Sequence, residues 1–276
     1  MIRFLVSDVD GTLVTPDKTV TPAARDAVLA LKDAGIGFAF VSSRPPRGLA
    51  AVAETLGLQA SAPGGGPAAA AFNGGALLDA GLNVLSFQPL GDADARIALD
   101  LLAALGIDAW VFTIDAWLLV DPDGHYVAHE EHTVGFPPTV LPSLDGVTGI
   151  GKIVGSSTDA ALLERAETAL APLLSTDARA LRSQAYYLDV THAKANKGAA
   201  LRAIAEHAGL PLDQMAAIGD MTNDLAMLEI AGYAIAMGNA PDAVKSAADA
   251  VTASNADEGF AKAVRDLIAA RRQETS

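Results

Sequence analysis

The sequence predicts an α/β protein: a parallel sheet with flanking helices, interrupted in mid-chain by an inserted α+β domain. Three observations carry this. The chain opens with an apolar run, a helical stretch and a second apolar run, which is the β-α-β rhythm of a parallel sheet with right-handed crossovers. The rhythm returns after residue 192, whereas residues 86–192 have a different texture. The length of 276 residues exceeds the roughly 100 to 200 expected of one domain. The expected division is therefore a first domain split into residues 1–85 and 193–276, with residues 86–192 inserted.

The opening run, Ile2 to Ser7, is apolar and ends in acidic residues and Gly11, so it reads as a buried strand delivering carboxylates at its C-terminal end. Active sites of open α/β sheets lie there. From Thr21 to Ala34, Val28, Leu29 and Leu31 recur near helical spacing; Thr21 can cap, Pro22 suits the first turn and Gly35 can end the helix. Gly37 to Val41 reads as the next buried strand. Ala60 to Ala71, with Pro63 to Pro67 in its middle, reads as a surface loop, and no helix start follows its glycines to make it a phosphate cradle. In the insertion, Asp92 to Leu105 and Asp159 to Leu170 are helix-like, Ala109 to Val120 is strand-like, and Asp121 to Gly124 is a turn. Afterwards Asn196 to Gly209 reads as helix, Met215 to Ile218 as strand, Asp224 to Ala231 as helix, Tyr233 to Met237 as strand and Arg271 to Ser276 as a frayed tail.

Composition excludes several functions. A net charge of -14 argues against a non-specific grip on nucleic acid or anionic membrane. The absence of cysteine removes disulfides, thiolate metal sites and thiol nucleophiles. Met1 to Asp8 leaves no room for a signal peptide, and charged residues, Gly or Pro break each apolar run before the roughly 18 residues of a membrane span. A cytoplasmic protein, monomer or homodimer, is expected.

Three segments bring chemistry to strand ends. Asp8-Val9-Asp10-Gly11-Thr12 sets two carboxylates two positions apart, where one can attack while the other moves protons; an acidic turn is the plain alternative. An EF-hand is not, because Leu13 and Val14 stand where further ligands are needed. Val41-Ser42-Ser43-Arg44-Pro45 offers hydroxyls and amides suited to a phosphate oxygen, or an ordinary turn. Gly219-Asp220-Met221-Thr222-Asn223-Asp224 adds two carboxylates and an amide at the same sheet edge. Asp8, Asp10, Asp220, Asp224 and a phosphate would repel by about 4 kcal/mol per close pair at an effective dielectric of about 20. A cation must sit among them, and an all-oxygen site that bridges to phosphate suits magnesium. Lys197, at the start of a predicted helix, supplies a second positive charge.

In this order the segments resemble the haloacid dehalogenase superfamily of phosphohydrolases: the Asp8 to Thr12 run resembles its first motif, Ser42 its second, Lys197 its third and Gly219 to Leu228 its fourth. Phe72 to Ala76, with Asn73, Ala236 to Ala240 and Asn255 to Gly259 resemble signature segments of its Cof-type IIB branch. One departure stands at Ser42-Ser43-Arg44, where that branch has Thr-Gly-Arg. The resemblance implies a Rossmann-like core with a IIB cap, a phosphatase of small phosphorylated metabolites such as sugar phosphates, Asp8 as nucleophile and Asp10 as general acid and base. It implies magnesium on Asp8, the Asp10 carbonyl and Asp220, with Asp224 either a ligand or the residue that orients Lys197. Ser42, Ser43, Arg44, Asn73, Lys197 and Asn223 are the candidates for holding phosphate and substrate. The cap would set specificity, with Trp110, Asp115, Trp117, His125, His129, Glu130, Glu131 and His132 as candidates, although each also reads as core or surface; the spacing of the three histidines is too irregular for a metal site. A phosphosugar mutase and a non-enzymatic phosphate-binding protein are the alternatives.

Overall fold

The computed structural model describes residues 1–58 and 66–274. It divides into two compact units: Met1–Ser43, Ala50–Ser86 and Asn196–Ser276 form the first, and Arg44–Leu49 with Phe87–Ala195 the second. Along the chain, the first unit begins with β1 (Phe4–Asp8), α1 (Pro22–Asp33), β2 (Gly37–Val41), α2 (Ala50–Leu56), β3 (Ala69–Ala71), β4 (Ala76–Leu78) and β5 (Val84–Phe87). The second unit contributes α3 (Asp92–Ala104), β6 (Asp108–Thr113), β7 (Trp117–Leu119), α4 (Val127–Val134), β8 (Thr139–Val140), β9 (Ile150–Ser156), α5 (Ala160–Leu170), β10 (Ala178–Gln184) and β11 (Tyr187–His192). The first then resumes with α6 (Lys197–Ala208), β12 (Met215–Gly219), α7 (Leu225–Leu228), β13 (Tyr233–Ala236), α8 (Asp242–Ser246), β14 (Ala250–Val251) and α9 (Gly259–Glu274).

The first unit's sheet runs β14-β13-β12-β1-β2-β3-β4-β5. β14 through β3 are parallel, and β4 turns back antiparallel on β3. β12 is buried throughout and β1 nearly so, as central parallel strands covered on both faces must be. Val6, Ala39, Val41, Ala217, Ala234 and Ala236 from the sheet pack against Leu201 and Ile204 of α6 in one core cluster. Local signals set the helix ends. The Thr21 hydroxyl accepts from the Ala24 amide, Pro22 fills the first turn, and the Asn196 side chain accepts from the Ala199 amide. Sequence order reverses at β1, which has β2 on one side and β12 on the other. Such a switch point opens a crevice outside the strands' C-terminal ends.

In the second unit the sheet runs β10-β11-β9-β6-β7-β8 and is antiparallel up to β7. Helices α3 and α5 cover one face, where Ala98, Leu102, Leu163 and Ala166 meet Val111, Ile153, Leu188 and Val190. Asp159 caps α5, its side chain accepting from the Ala161 and Leu162 amides. Register puts Trp110, Phe112, Trp117, Lys152, Tyr187 and Asp189 on the opposite face. There Phe112 stacks on Trp117, and Trp110 meets Trp117 and Tyr187 edge to face.

Four expectations are corrected. Ala109 to Val120 is a hairpin, β6 and β7, because the apolar alternation continues across the turn that the Thr113 hydroxyl stabilises by accepting from the Asp115 and Ala116 amides. Asp224 to Ala231 is helical only as α7, preceded by a 3-10 turn at Thr222–Asp224. Ala69–Ala71 of the expected loop is strand β3, while residues 59–65 lie outside the described residues. The expected tail continues α9 as far as Glu274, and residues 275–276 lie outside the described residues. No described helix is long and apolar enough to cross a membrane.

Candidate active site

Asp8 is the last residue of β1, Asp220 follows β12, and Lys197 opens α6 behind its Asn196 cap. Their positions make the side chains converge. Lys197 is 2% exposed and its ammonium donates to Asp8 Oδ1 and, at 2.6 Å, to Asp224 Oδ1. Asp224 Oδ2 accepts from the backbone amides of Asp220 at 2.9 Å and Met221 at 2.8 Å, so both its oxygens are engaged. Asp8 Oδ2, in contrast, is buried with no hydrogen-bond partner. One oxygen each from Asp8, Asp220 and Asp224 lie within 4.8 Å of one another.

Loops that follow the strands complete the edge. Thr12 Oγ1 donates to Asp220 Oδ1 at 3.2 Å, and Asn239 Nδ2 donates to both the Gly11 carbonyl and Asp220 Oδ2. Asn255 donates its amide to Asn239 Oδ1 and its side chain to the Val14 carbonyl. Gly11 has φ +83°, and a Cβ there would stand 2.2 Å from Asp220 Oδ2, so this turn admits only glycine. The Asn73 amide donates to the Ser42 carbonyl at 2.7 Å, and Asn223 Nδ2 reaches Asn73 Oδ1 at 3.3 Å. Phe72 and Asn73 both hold left-handed backbone, φ +51° and +55°, a strained conformation for a phenylalanine that clusters at binding sites.

Asp10 lies apart from the three-carboxylate group, its Oδ1 accepting from Lys18 Nζ at 2.9 Å. Ser43 ends the first segment of the first unit, and Arg44 belongs to the second, donating to the Gly48 carbonyl at 3.3 Å. Of the selectivity candidates, Trp110 and Trp117 are core aromatics and Glu130 is buried beside Tyr187, whose hydroxyl is held above its usual range by burial and by the Glu130 charge. Asp115, His125, His129, Glu131 and His132 are exposed. Sequence reasoning assigned no role to Lys18, Thr12, Asn239 or Asn255. The signal for Asn239 was its place just past an apolar strand at the same sheet edge.

Electrostatics single out the same group. Burial raises Asp8 well above the usual carboxylate range; Lys197 opposes the shift, and Asp224 and Asp220 add to it. Asp220 is pushed up to about 6 by burial and then by Asp224, against the pull of Lys197 and the Thr12 hydroxyl. Burial alone would lower Lys197, but Asp224 and Asp8 override it and raise its proton affinity. Three buried carboxylates thus share one ammonium, and Asp8 Oδ2 has no partner. A hard cation with oxygen ligands fits this carboxylate group in charge and in donor chemistry.

The comparisons agree with this geometry. A family model for haloacid dehalogenase-like hydrolases matches residues 5–264. A pyridoxal phosphate phosphatase of Escherichia coli is 27% identical over 94% of this chain and 96% of its own. A Bacillus subtilis phosphatase of 5-amino-6-(5-phospho-D-ribitylamino)uracil is 26% identical over 97% and 96%. The crystal structure of a haloacid dehalogenase-like hydrolase from Bacteroides thetaiotaomicron, 25% identical, superposes with a TM-score of 0.87 over 97% of this chain and 100% of that one. With a strand-end carboxylate, a lysine spanning two aspartates and a match over nearly its whole length, the chain belongs to the haloacid dehalogenase-like hydrolases.

Proposed function

We propose that the protein is a magnesium-dependent phosphatase of small phosphorylated metabolites, sugar phosphates among them, working through a phosphoaspartate on Asp8. The observation that carries this reading is Asp8 itself: one oxygen is held by Lys197 and the other is buried without a partner, at a strand end two residues from a second carboxylate. Asp8 attacks phosphorus and the ester P–O bond breaks, with Asp10 giving its proton to the leaving alkoxide. Asp10 then takes a proton from water as that water attacks the phosphoaspartate, which releases phosphate and restores Asp8. General acid-base assistance of this kind contributes roughly 10²- to 10⁴-fold in rate.

Lys197 and Ser42 hold the phosphoryl oxygens, with Asn223, Asn73, Ser43 and Arg44 assigned to the phosphate side of the substrate. Magnesium would be held by Asp8, the Asp10 carbonyl and Asp220, and when bound it neutralises charge on the transferring phosphoryl group. Asp224 fits better as the residue that orients Lys197, since its oxygens already serve the ammonium and two amides. The second unit is assigned the role of cap, selecting the organic part of the substrate. The Escherichia coli and Bacillus subtilis relatives, named for phosphorylated small molecules, support that substrate class.

The test is release of inorganic phosphate from sugar phosphates, nucleotides and p-nitrophenyl phosphate, with and without magnesium, in the parent and in Asp8→Asn. Magnesium-dependent turnover that disappears in Asp8→Asn is expected. Retained turnover in Asp8→Asn removes Asp8 as nucleophile, and a parent inert toward every ester removes the phosphatase reading.

A further inference from the structure

The second unit buries a charge pair that the chemistry above leaves unused. Lys152 of β9 and Asp189 of β11 lie on the sheet face opposite α3 and α5. Register sets Lys152 across from Thr191 and Asp189 across from Val154, so the two charges meet on a diagonal rather than directly. Lys152 Nζ stands 3.8 Å from Asp189 Oδ2, with both side chains less than a tenth exposed. That separation holds a Coulomb attraction but is too long for a hydrogen bond. Asp189 Oδ1 is buried with no hydrogen-bond partner, and so is Trp117 Nε1 on the same face.

Withdrawing two charges from water is offset only when their lone pairs and N–H groups are well satisfied. Here they are not: Lys152 Nζ stands too far from Asp189 Oδ2 for a hydrogen bond and lies over the Phe112 ring, 5.1 Å from its centroid, while Asp189 Oδ1 has no partner. An oxygen about 2.8 Å from each group spans the 3.8 Å between them. It must accept from Lys152 and donate to Asp189, and a hydroxyl does both. Asp189 Oδ1, buried without a partner, can accept from a second donor. Because the carboxylate already offsets the ammonium, a second anionic group would gain little there.

We propose that Lys152 and Asp189 form a hydroxyl-reading site on the second unit, which takes vicinal hydroxyls of a neutral sugar or polyol. The site rests on the phosphatase reading only for what carries those hydroxyls, namely the organic part of a phosphate monoester. It makes the pair a determinant of specificity and leaves the chemical step to the first unit.

Two readouts test it. The charge-free double variant Lys152→Met with Asp189→Leu avoids stranding a buried charge and is expected to fold, with circular dichroism as the check. First, kcat/KM for ribose 5-phosphate and glucose 6-phosphate should fall at least tenfold relative to that for p-nitrophenyl phosphate, mainly through KM. Equal falls on all three esters, or no fall on any, overturn the proposal. Second, the chain has two tryptophans, Trp110 and Trp117, and both lie on this face. Ribitol and myo-inositol titrated into the intact parent should give a saturable fluorescence change, at least tenfold weaker in the double variant. If the parent hydrolyses none of the esters, the phosphatase reading falls by itself and fluorescence decides the site. A parent without a saturable response in that case overturns it. As a second variant, Asp189→Asn keeps the shape and should lose selectivity in the same direction; unchanged selectivity counts against the proposal.

Discussion

The two units each bury a lysine beside aspartate, and they satisfy it differently. In the first unit Lys197 reaches two carboxylates at hydrogen-bond range, and Asp224 is further held by two backbone amides. In the second, Lys152 faces one carboxylate at 3.8 Å and Asp189 keeps an unpartnered oxygen. The difference follows from where the charges sit. At the C-terminal edge of a parallel sheet the chain leaves its ladder, so amides such as those of Asp220 and Met221 are free to turn toward a carboxylate. Mid-strand on a sheet face the backbone groups are committed to neighbouring strands, and only side chains or a ligand remain.

The largest effect that could break this comparison is Lys197→Met. It strands Asp8 and Asp224 and should cost about 3 to 5 kcal/mol of folding stability in urea melts, together with all turnover. Lys152→Met strands one carboxylate rather than two and loses no hydrogen bond, so it should cost clearly less; equal losses would erase the distinction between the units. Next, Asp10→Asn should lower turnover by about 10²- to 10⁴-fold while moving stability by no more than about 0.5 kcal/mol, since this carboxylate is about a quarter exposed. A comparable loss of stability would place Asp10 with the buried group.

A smaller effect is expected from pH. Asp220 binds its proton up to about pH 6 in the folded protein, against about 3.9 unfolded. The folded state therefore holds more protons between those values, and metal-free stability falls as pH rises through them, by no more than about 3 kcal/mol. Asp8 acts in the same direction. Magnesium, which favours the ionised carboxylates, should raise the Tm more at pH 7.5 than at pH 4.5, and Asp220→Asn should flatten the metal-free slope. A steeper rise with magnesium at pH 4.5 would remove the carboxylate group as the metal site. Smallest of all, Asp159→Ala removes the α5 cap and should cost about 0.5 to 2 kcal/mol, with kcat on p-nitrophenyl phosphate unchanged; a lost kcat would tie α5 to the chemistry.

What the sequence revealed tracks how local each signal is. Asp8, Asp220 and Lys197 were readable because each closes an apolar strand or opens a helix within a few residues, so the element carries its own functional group to the sheet edge. The cap at Thr21 was local in the same sense. Lys18 and Asn239 were not assigned, since their partners, Asp10 and Asp220, are chosen by how loops meet after folding. The β6–β7 hairpin read as one strand because Ile114 and Ala116 maintain apolar alternation through the turn. Lys152 and Asp189 sit singly within apolar strands, and nothing near either one in sequence points to the other.

Strand β1 pairs with β2 within its own stretch of chain, but on its other side Leu5 pairs with Ala216. On the ribosome, that second neighbour emerges only after about 200 further residues, an interval of ~10 to 40 s at about 5 to 20 residues per second. Until then β1 presents an apolar open edge of the kind other chains can pair with, while the inserted unit, whose strands are contiguous from β6 to β11, has all of its sheet in hand. Synthesis therefore imposes an order: the insert closes first, and the strand bearing Asp8 waits, which makes this segment the natural client of a chaperone.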